Sequence, residues 1–258
     1  RDYVRRRHLP RLLRRATRAL AKLATEARDP RSLENALGRL SGMAPDPEER
    51  GRVAAELGRL CEIELGDSAG AIEAWRKVLG TSRDHEALGA LSRLYEATGA
   101  HRELSQVLDR RADVEPDAEV RERVLLQVAE LRATKLGDRA GAIEALRRVI
   151  ATFGATRAAT QKLVQLLEQE RRWEDLASAL EADVALAPAE ERAGLRARLG
   201  QLRLARLNDL PGAIAAFGAA LSADRFDKTA RLALEKILGG TAEVKARDSK
   251  MPPGAPSE

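Results

Sequence analysis

One segment occurs three times along the chain at a constant spacing, and this repetition limits the fold more than any other feature. Residues 65–75 read Leu-Gly-Asp-Ser-Ala-Gly-Ala-Ile-Glu-Ala-Trp, residues 136–146 differ from them at two positions, and residues 207–217 keep the pattern of apolar and small residues. Each copy begins 71 residues after the previous one. This spacing equals two units of about 35 residues, which is typical of stacked helical repeats. The sequence therefore predicts a repeat protein.

Each unit reads as two amphipathic helices. Between residues 117 and 135 the apolar side chains recur at the spacing that places them on one face of a helix. Gly137 suits the left-handed end of that helix, and Asp138 is a good N-cap for a second helix over 139–151. Because neither helix can bury its apolar stripe alone, neighbouring pairs must stack.

The composition favours an all-α fold. Aromatic residues make up 3% of the 258 residues, which is scarce for strands that favour aromatic and β-branched side chains. A single Cys excludes a disulfide within the chain, and one Cys with three His leaves little for a zinc site. We expect no metal and no cofactor. The sequence contains no apolar run long enough to span a membrane.

At these positions the chain resembles the tetratricopeptide repeat family, whose unit is a helix pair of about 34 residues. Leu57-Gly58 and Leu199-Gly200 match the Leu-Gly step of the first helix. The small position of the second helix and its following aromatic position are matched by Ala71, Ala142 and Ala213, and by Trp75 and Phe217. The resemblance covers residues 11–238 and implies a right-handed α-solenoid of about six helix pairs with a C-terminal capping helix.

The repeat divides the chain into three parts. Residues 1–10 form a basic N-terminal lead-in, residues 11–238 form the solenoid, and residues 239–258 form a disordered tail that is rich in Gly and Pro and lacks Leu, Ile and Phe. Within the solenoid we predict helix pairs over 11–46, 47–82, 83–118, 119–154, 155–190 and 191–224, followed by a lone helix over 226–238.

The net charge of +5 is concentrated at the N-terminus. Residues 1–20 carry eight Arg and one Asp, so the remaining 238 residues sum to −2. Such a cluster is typical of a nucleic-acid or acidic-lipid patch, but it is also compatible with a solvated leading helix or a junction to a preceding segment.

Candidate catalytic residues are few, and each has a simpler interpretation. Residues 66–70 match the Gly-x-Ser-x-Gly string of a nucleophile elbow, but Ser68 lies between two predicted helices with no strand before it. His8, His85 and His101 are too dispersed to share a metal. Cys61, Trp75 and Trp173 are interpreted as core packing, and no phosphate-binding loop is present. The sequence predicts no enzyme.

The resemblance implies that the first helix of each unit lines a concave groove, with its second, fifth and ninth positions pointing inward. The second unit presents Arg52, Ala55 and Arg59 there, whereas later units present neutral residues such as Gln161 and Gln165. The partner-binding residues predicted in this way are Arg15, Arg18, Lys22, Arg52, Arg59 and Arg93.

These features predict a non-enzymatic scaffold that holds a segment of a partner protein or peptide in the groove, and the basic residues favour an acidic segment. Two alternatives remain: a helical-repeat nucleic-acid binder that uses the basic N-terminus, and a regulatory module of a larger protein. The absence of aromatics placed for base stacking argues against nucleic acid. We expect a cytoplasmic protein, with a periplasmic location left open because the chain does not begin with Met. The oligomeric state is undetermined.

Overall fold

The computed structural model describes the backbone of residues 2–248 and the side chains of residues 11–239, and within that range it contains helices and no strand. The thirteen helices, in chain order, are α1 (Asp2–Glu26), α2 (Pro30–Met43), α3 (Pro47–Leu60), α4 (Ser68–Arg76), α5 (Asp84–Thr98), α6 (His101–Val114), α7 (Ala118–Leu131), α8 (Arg139–Phe153), α9 (Arg157–Gln169), α10 (Trp173–Leu186), α11 (Ala189–Ala205), α12 (Leu210–Ala223) and α13 (Lys228–Asp248).

The helix order confirms the predicted all-α repeat plan of six helix pairs and a closing helix. The ends of the chain differ from the expectation. The backbone of α1 is already helical at Asp2, inside the predicted lead-in, and α13 continues to Asp248 instead of ending at residue 238. The rest of the predicted disordered tail lies outside the described residues. No helix in the described part of the chain has the length and apolarity needed to cross a membrane.

Helix starts follow from capping residues in the sequence. The side chains of Asp29 and Asp46 accept backbone N–H bonds in the first turns of α2 and α3, and Pro30 and Pro47 follow them. Proline is favoured there because its missing N–H would have no partner inside the helix and its φ angle already suits a helix. The repeated Asp caps α4, α8 and α12 in the same way, with distances of 2.9–3.0 Å from its carboxylate to the N–H of Gly70, Gly141 and Gly212.

The turn between the two helices of a repeated unit has a characteristic backbone. After α3, residues Cys61–Leu65 form a π-helical turn, which accommodates one extra residue, and Gly66 then takes a left-handed φ of 62°. The N–H of Asp67 closes the turn by donating to the carbonyl of Cys61 at 2.9 Å. After α7 the same arrangement occurs over Arg132–Leu136.

The helices form two compact bodies, each larger than one helix-pair repeat, which are called unit 1 and unit 2 from here on. Unit 1 comprises residues 1–137 (α1 to α7), and unit 2 comprises residues 138–258 (α8 to α13). Within unit 1 each helix packs against the next along the chain, around fully buried side chains such as Trp75, Leu88 and Leu108. Within unit 2 the last pair is closed by α13, whose Leu234 and Ile237 pack against the cluster around Phe217.

The Leu-Gly step explains how the two helices of a pair approach each other. A Cβ atom placed on Gly58 would lie 2.7 Å from the indole of Trp75, and one placed on Gly200 would lie 2.7 Å from the ring of Phe217. Ala71 and Ala213 are fully buried. Glycine on the first helix therefore makes the space that an aromatic side chain on the second helix fills.

Candidate partner-binding surface

Three first helices of unit 1 carry the six cations predicted from the sequence. We define the first-helix face of unit 1 as the exposed surface of α1, α3 and α5 that bears them. All six are exposed: Arg15, Arg18 and Lys22 on α1, Arg52 and Arg59 on α3, and Arg93 on α5. The spacing of three or four residues within α1 places its cations on one side of that helix.

Half of these cations already have acidic partners on the neighbouring first-helix segment. Each pair bridges one repeat to the next, so that the three helices are joined across the first-helix face. The pairs are Arg18 with Glu49, Arg59 with Glu86, and Arg93 with Glu62, the last at 3.1 Å. In unit 2, Arg157 and Arg198 make the corresponding pairs with Glu191 and Glu168.

The pair between Arg59 and Glu86 has the most contacts. Two nitrogens of the Arg59 guanidinium donate to one oxygen of Glu86 at 3.1 and 2.5 Å, and Arg83 donates to the other oxygen at 3.2 Å. Hydrogen bonding from Arg59 is the main reason that the pKa of Glu86 lies below its ordinary value, and Arg83 adds to the effect. Arg59 also lies over the ring of Trp75, 5.8 Å from its centroid. This cation is therefore held in place by the protein itself.

Two of the six predicted cations, Arg15 and Arg52, make no ion pair with any described residue. Their guanidinium groups therefore remain available to a carboxylate of another molecule. Lys22 pairs with Glu26 of its own helix at 3.8 Å.

The prediction that Ala55 points into a groove is wrong. Its side chain is fully buried in the interior of unit 1.

A cavity that the sequence did not predict lies in unit 2, around Trp173 at the start of α10. Arg206 stacks over the Trp173 ring with its central carbon 5.0 Å from the centroid. A cavity of about 230 Å³ lies beside this pair, with Leu176 and Leu202 among its apolar walls and Gln201 at its edge. Trp173 is half-buried, which corrects its interpretation as ordinary core packing.

The residues considered for catalysis lie at helix starts, in ion pairs or in the core. Ser68 is the first residue of α4 and follows a helical turn, so it lacks the strand-to-turn geometry of a nucleophile elbow. His85 contacts the buried carboxylate of Glu115 at 3.1 Å, and His101 begins α6. The side chain of His8 lies outside the described residues. Trp75 is buried in the core, as predicted.

Cys61 is a buried thiol, as predicted, and it lies near two carboxylates. Ligand-type atoms of Glu34, Cys61 and Asp67 are within 4.8 Å of one another. Glu34 pairs with Arg31, and Asp67 caps α4. Burial, followed by the charges of Glu34 and Asp67, raises the pKa of the Cys61 thiol, so the group remains protonated at neutral pH. The cluster is thus accounted for by capping and ion pairing.

No protein-family model and no curated protein matches the sequence. Solved structures of similar helical proteins were found. The chain is 20% identical to MamA over 68% of its own length and 92% of that chain, with a TM-score of 0.37. It is 14% identical to YrrB, described as a TPR protein with an unusual peptide-binding site, over 71% of its own length and 91% of that chain, with a TM-score of 0.38. It is 15% identical to a tetratricopeptide repeat protein from Parabacteroides merdae, over 86% of its own length and 97% of that chain, with a TM-score of 0.37.

The chain's own geometry supports the resemblance stated from its sequence. Helices follow one another in pairs, the repeated Asp caps each of its three helices, and glycine on the first helix receives an aromatic residue of the second. On these features, the chain is built of tandem helix pairs, and its repeat resembles the tetratricopeptide repeat.

Proposed function

We propose that this protein is a non-enzymatic interaction scaffold, and that it binds an acidic segment of a partner protein along the first-helix face of unit 1. The observation that carries the proposal is the row of six exposed cations on three successive first helices. A face of this kind offers several charged contacts to one extended segment, which gives a partner both orientation and register.

Arg15 and Arg52 are the primary contacts in this proposal. Both are exposed and neither pairs with an acidic residue of the described chain, so a partner carboxylate would meet no internal competitor there. Arg18, Arg59 and Arg93 would have to share or exchange their present Glu partners. Because an exposed ion pair contributes only about 0–1 kcal/mol, exchange adds little to affinity. The two unpaired cations should therefore dominate the charge dependence of binding.

Affinity capture with the full 258-residue chain, with and without nuclease, tests the class of partner. We expect a defined protein to be recovered equally under both conditions. Its binding segment, made as a peptide, should bind more weakly as salt is raised, because screening shortens the range of charge attraction to about 8 Å at physiological ionic strength. Loss of the captured species after nuclease treatment would instead indicate a nucleic-acid binder.

Charge reversal tests the place of binding. Arg15→Glu with Arg52→Glu should weaken the peptide complex by about tenfold or more. The matched control is Lys77→Glu with Arg102→Glu, which changes the net charge of unit 1 equally. Both control residues are exposed, and neither makes an ion pair in the part of the chain that is described. Equal losses from both double variants would show that overall charge, and not the first-helix face, attracts the partner.

A further inference from the structure

Two cavities of unit 2 share the side chains of Trp173 and Arg206 in their walls. The first cavity, of about 230 Å³, is lined by residues of α9, α10 and α11 together with Arg206. The second cavity, of about 390 Å³, lies at the start of α10. Because Trp173 is only half-buried, its ring is part of a surface that a ligand can reach.

The combination of Trp173 and Arg206 is not repeated in unit 1. His101 stands 72 residues before Trp173, at the start of α6. Lys135 stands 71 residues before Arg206 and lies in a π-helical turn, whereas α11 ends at Ala205 without such a turn. The helix-pair plan therefore does not depend on these two side chains.

The first cavity has an apolar floor. Leu176, Leu180 and Leu202 line it and are at most 8% exposed, and the Trp173 ring adds a flat apolar surface. A cavity of about 150 Å³ can hold a benzene ring, and pockets for drug-sized ligands begin at about 300 Å³. The first cavity therefore suits a single ring or one branched alkyl group with a short substituent.

The first cavity has one uncompensated charge, and that charge is positive. Three charged residues line it: Glu168, Arg198 and Arg206. Glu168 and Arg198 pair with each other at 2.7 Å, so their charges cancel. Arg206 makes no ion pair with any described residue. Gln201 is the remaining polar side chain of the lining and is neutral.

The second cavity has a different charge balance. Arg172 pairs with Asp175 at 2.7 Å, and Asp175 also pairs with Arg147 at 2.8 Å. Glu174 lines the same cavity and makes no ion pair in the described part of the chain. Its carboxylate would repel an anion there. A ligand with one negative charge is therefore directed to the first cavity.

The stacking of Arg206 prepares it to bind a carboxylate. Its guanidinium lies over the Trp173 ring, with the central carbon 5.0 Å from the centroid. A guanidinium that stacks through its flat face keeps the N–H groups at its edge free, and two of them can donate to one carboxylate. Since the ring already holds the side chain, less conformational entropy is lost on binding.

We propose that the first cavity binds a small carboxylic acid that has a single aromatic ring or branched alkyl group. Its apolar part packs against Leu176, Leu202 and Trp173, and its carboxylate accepts hydrogen bonds from Arg206. A free acid has both groups in one molecule. An apolar side chain inside a peptide has no carboxylate of its own, so a second residue would have to reach Arg206. The site lies in unit 2 and does not depend on partner binding by unit 1.

The test uses the full chain and three probes of matched size: hydrocinnamate, its neutral amide, and the cation phenylpropylamine. The chain has two Trp, so proton–nitrogen correlation spectra show two indole N–H signals, which the variant Trp173→Phe assigns. We expect hydrocinnamate to shift the Trp173 signal and to leave that of the buried Trp75 unchanged. Its dissociation constant should be about 1 mM or lower, and at least tenfold lower than those of the amide and the amine.

Two variants separate the charge from the cavity. Arg206→Gln should weaken hydrocinnamate at least tenfold and leave the amide unaffected. Ala205→Leu should weaken both, because Ala205 is an exposed residue that lines the first cavity and a larger side chain would fill it. The matched control is Arg225→Gln, which removes another exposed and unpaired cation of unit 2 that lines neither cavity. All variants should keep their far-UV circular dichroism.

Four results would overturn the proposal. The first is no shift of the Trp173 signal at millimolar hydrocinnamate, and the second is equal binding of the acid, the amide and the amine. The third is an equal loss of affinity in Arg206→Gln and Arg225→Gln. The fourth is tighter binding of a blocked peptide that contains Phe-Asp, which would assign the cavity to a segment of a partner protein.

Discussion

Residues 57–75 of unit 1 and residues 199–217 of unit 2 are two copies of one repeat with different side chains and a different turn, because Cys61–Leu65 are π-helical whereas α11 ends at Ala205 without a π-helical turn. In both, the repeated Asp closes the turn with a 2.9 Å hydrogen bond, from Asp67 to the carbonyl of Cys61 and from Asp209 to the carbonyl of Arg203. In both, glycine on the first helix faces an aromatic ring on the second. The side chain inside the turn differs: it is the buried thiol of Cys61 in unit 1 and the guanidinium of Arg203 in unit 2.

The difference shows which part of the repeat is fixed by geometry. Arg203 donates to the carbonyl of Gly212 at 3.3 Å and pairs with Glu181, so its charge is satisfied locally. Cys61 needs no such partners, because it is a small uncharged group in the core. The backbone bonds and the glycine-to-aromatic contact persist in both units, while the side chain inside the turn changes together with its neighbours.

The largest expected effect comes from breaking the glycine-to-aromatic contact. Gly58→Ala should lower the free energy of unfolding by about 1–3 kcal/mol, because the new methyl group would overlap the Trp75 indole. Trp75→Leu should cost about 2–4 kcal/mol by leaving a cavity. Combining the two should cost less than the sum, since the smaller side chain makes room for the methyl group.

Urea unfolding followed by circular dichroism measures these three free energies. The matched glycine variant is Gly89→Ala, at which a Cβ would meet no atom within 4 Å. It should be neutral or slightly stabilising, because alanine is the better helix former. Strictly additive costs for Gly58 and Trp75 would contradict the contact.

A smaller effect is expected at the left-handed residue of each turn. Gly66 has a φ of 62° in unit 1, and Asn208 has a φ of 52° in unit 2. Gly66→Ala should destabilise by about 1 kcal/mol, because a Cβ is strained in this conformation. Asn208→Gly should change stability by less than about 0.5 kcal/mol, since Asn tolerates the region. Comparable losses at both positions, measured by the same unfolding assay, would refute this account of the turns.

The next effect depends on pH and concerns unit 1. Arg59 holds the pKa of Glu86 below its ordinary value in the folded protein, so the carboxylate stabilises the fold above the unfolded pKa of about 4.3. This contribution is lost as the pH falls through the lower folded value. Glu86→Gln should therefore cost about 0.5 kcal/mol at pH 7, a magnitude typical of exposed pairs, and progressively less as the pH falls through the folded pKa of Glu86. A difference that does not shrink as the pH is lowered would exclude the ion pair as its cause.

The smallest effect is expected at Ser68, whose counterpart in the third copy is Leu210. Ser68→Ala should leave any esterase-like activity of a preparation unchanged, because the side chain lies in the first turn of α4. Hydrolysis of a chromogenic ester by the purified wild-type chain and the variant provides the comparison. A reproducible activity that disappears with this change alone would overturn the non-enzymatic assignment.

The sequence predicted those features that depend on residues close together in the chain. Helix pairs, the Asp caps and the left-handed glycines follow from local spacing, and the structure confirms them. The pairing of Arg59 with Glu86 was not predicted, because it depends on which side chains of two neighbouring units meet in space. The burial of Ala55 and the stacking of Arg206 on Trp173 were missed for the same reason.

The ion pairs between successive first helices have a mechanical consequence. They join successive first helices through exposed charges, whereas buried apolar side chains fill the interior between the helices. Raised salt screens the charges and leaves the apolar contacts intact or strengthened. Salt should therefore loosen the charged edge of unit 1 while its apolar interior stays packed, so that the distance between neighbouring first helices varies with ionic strength.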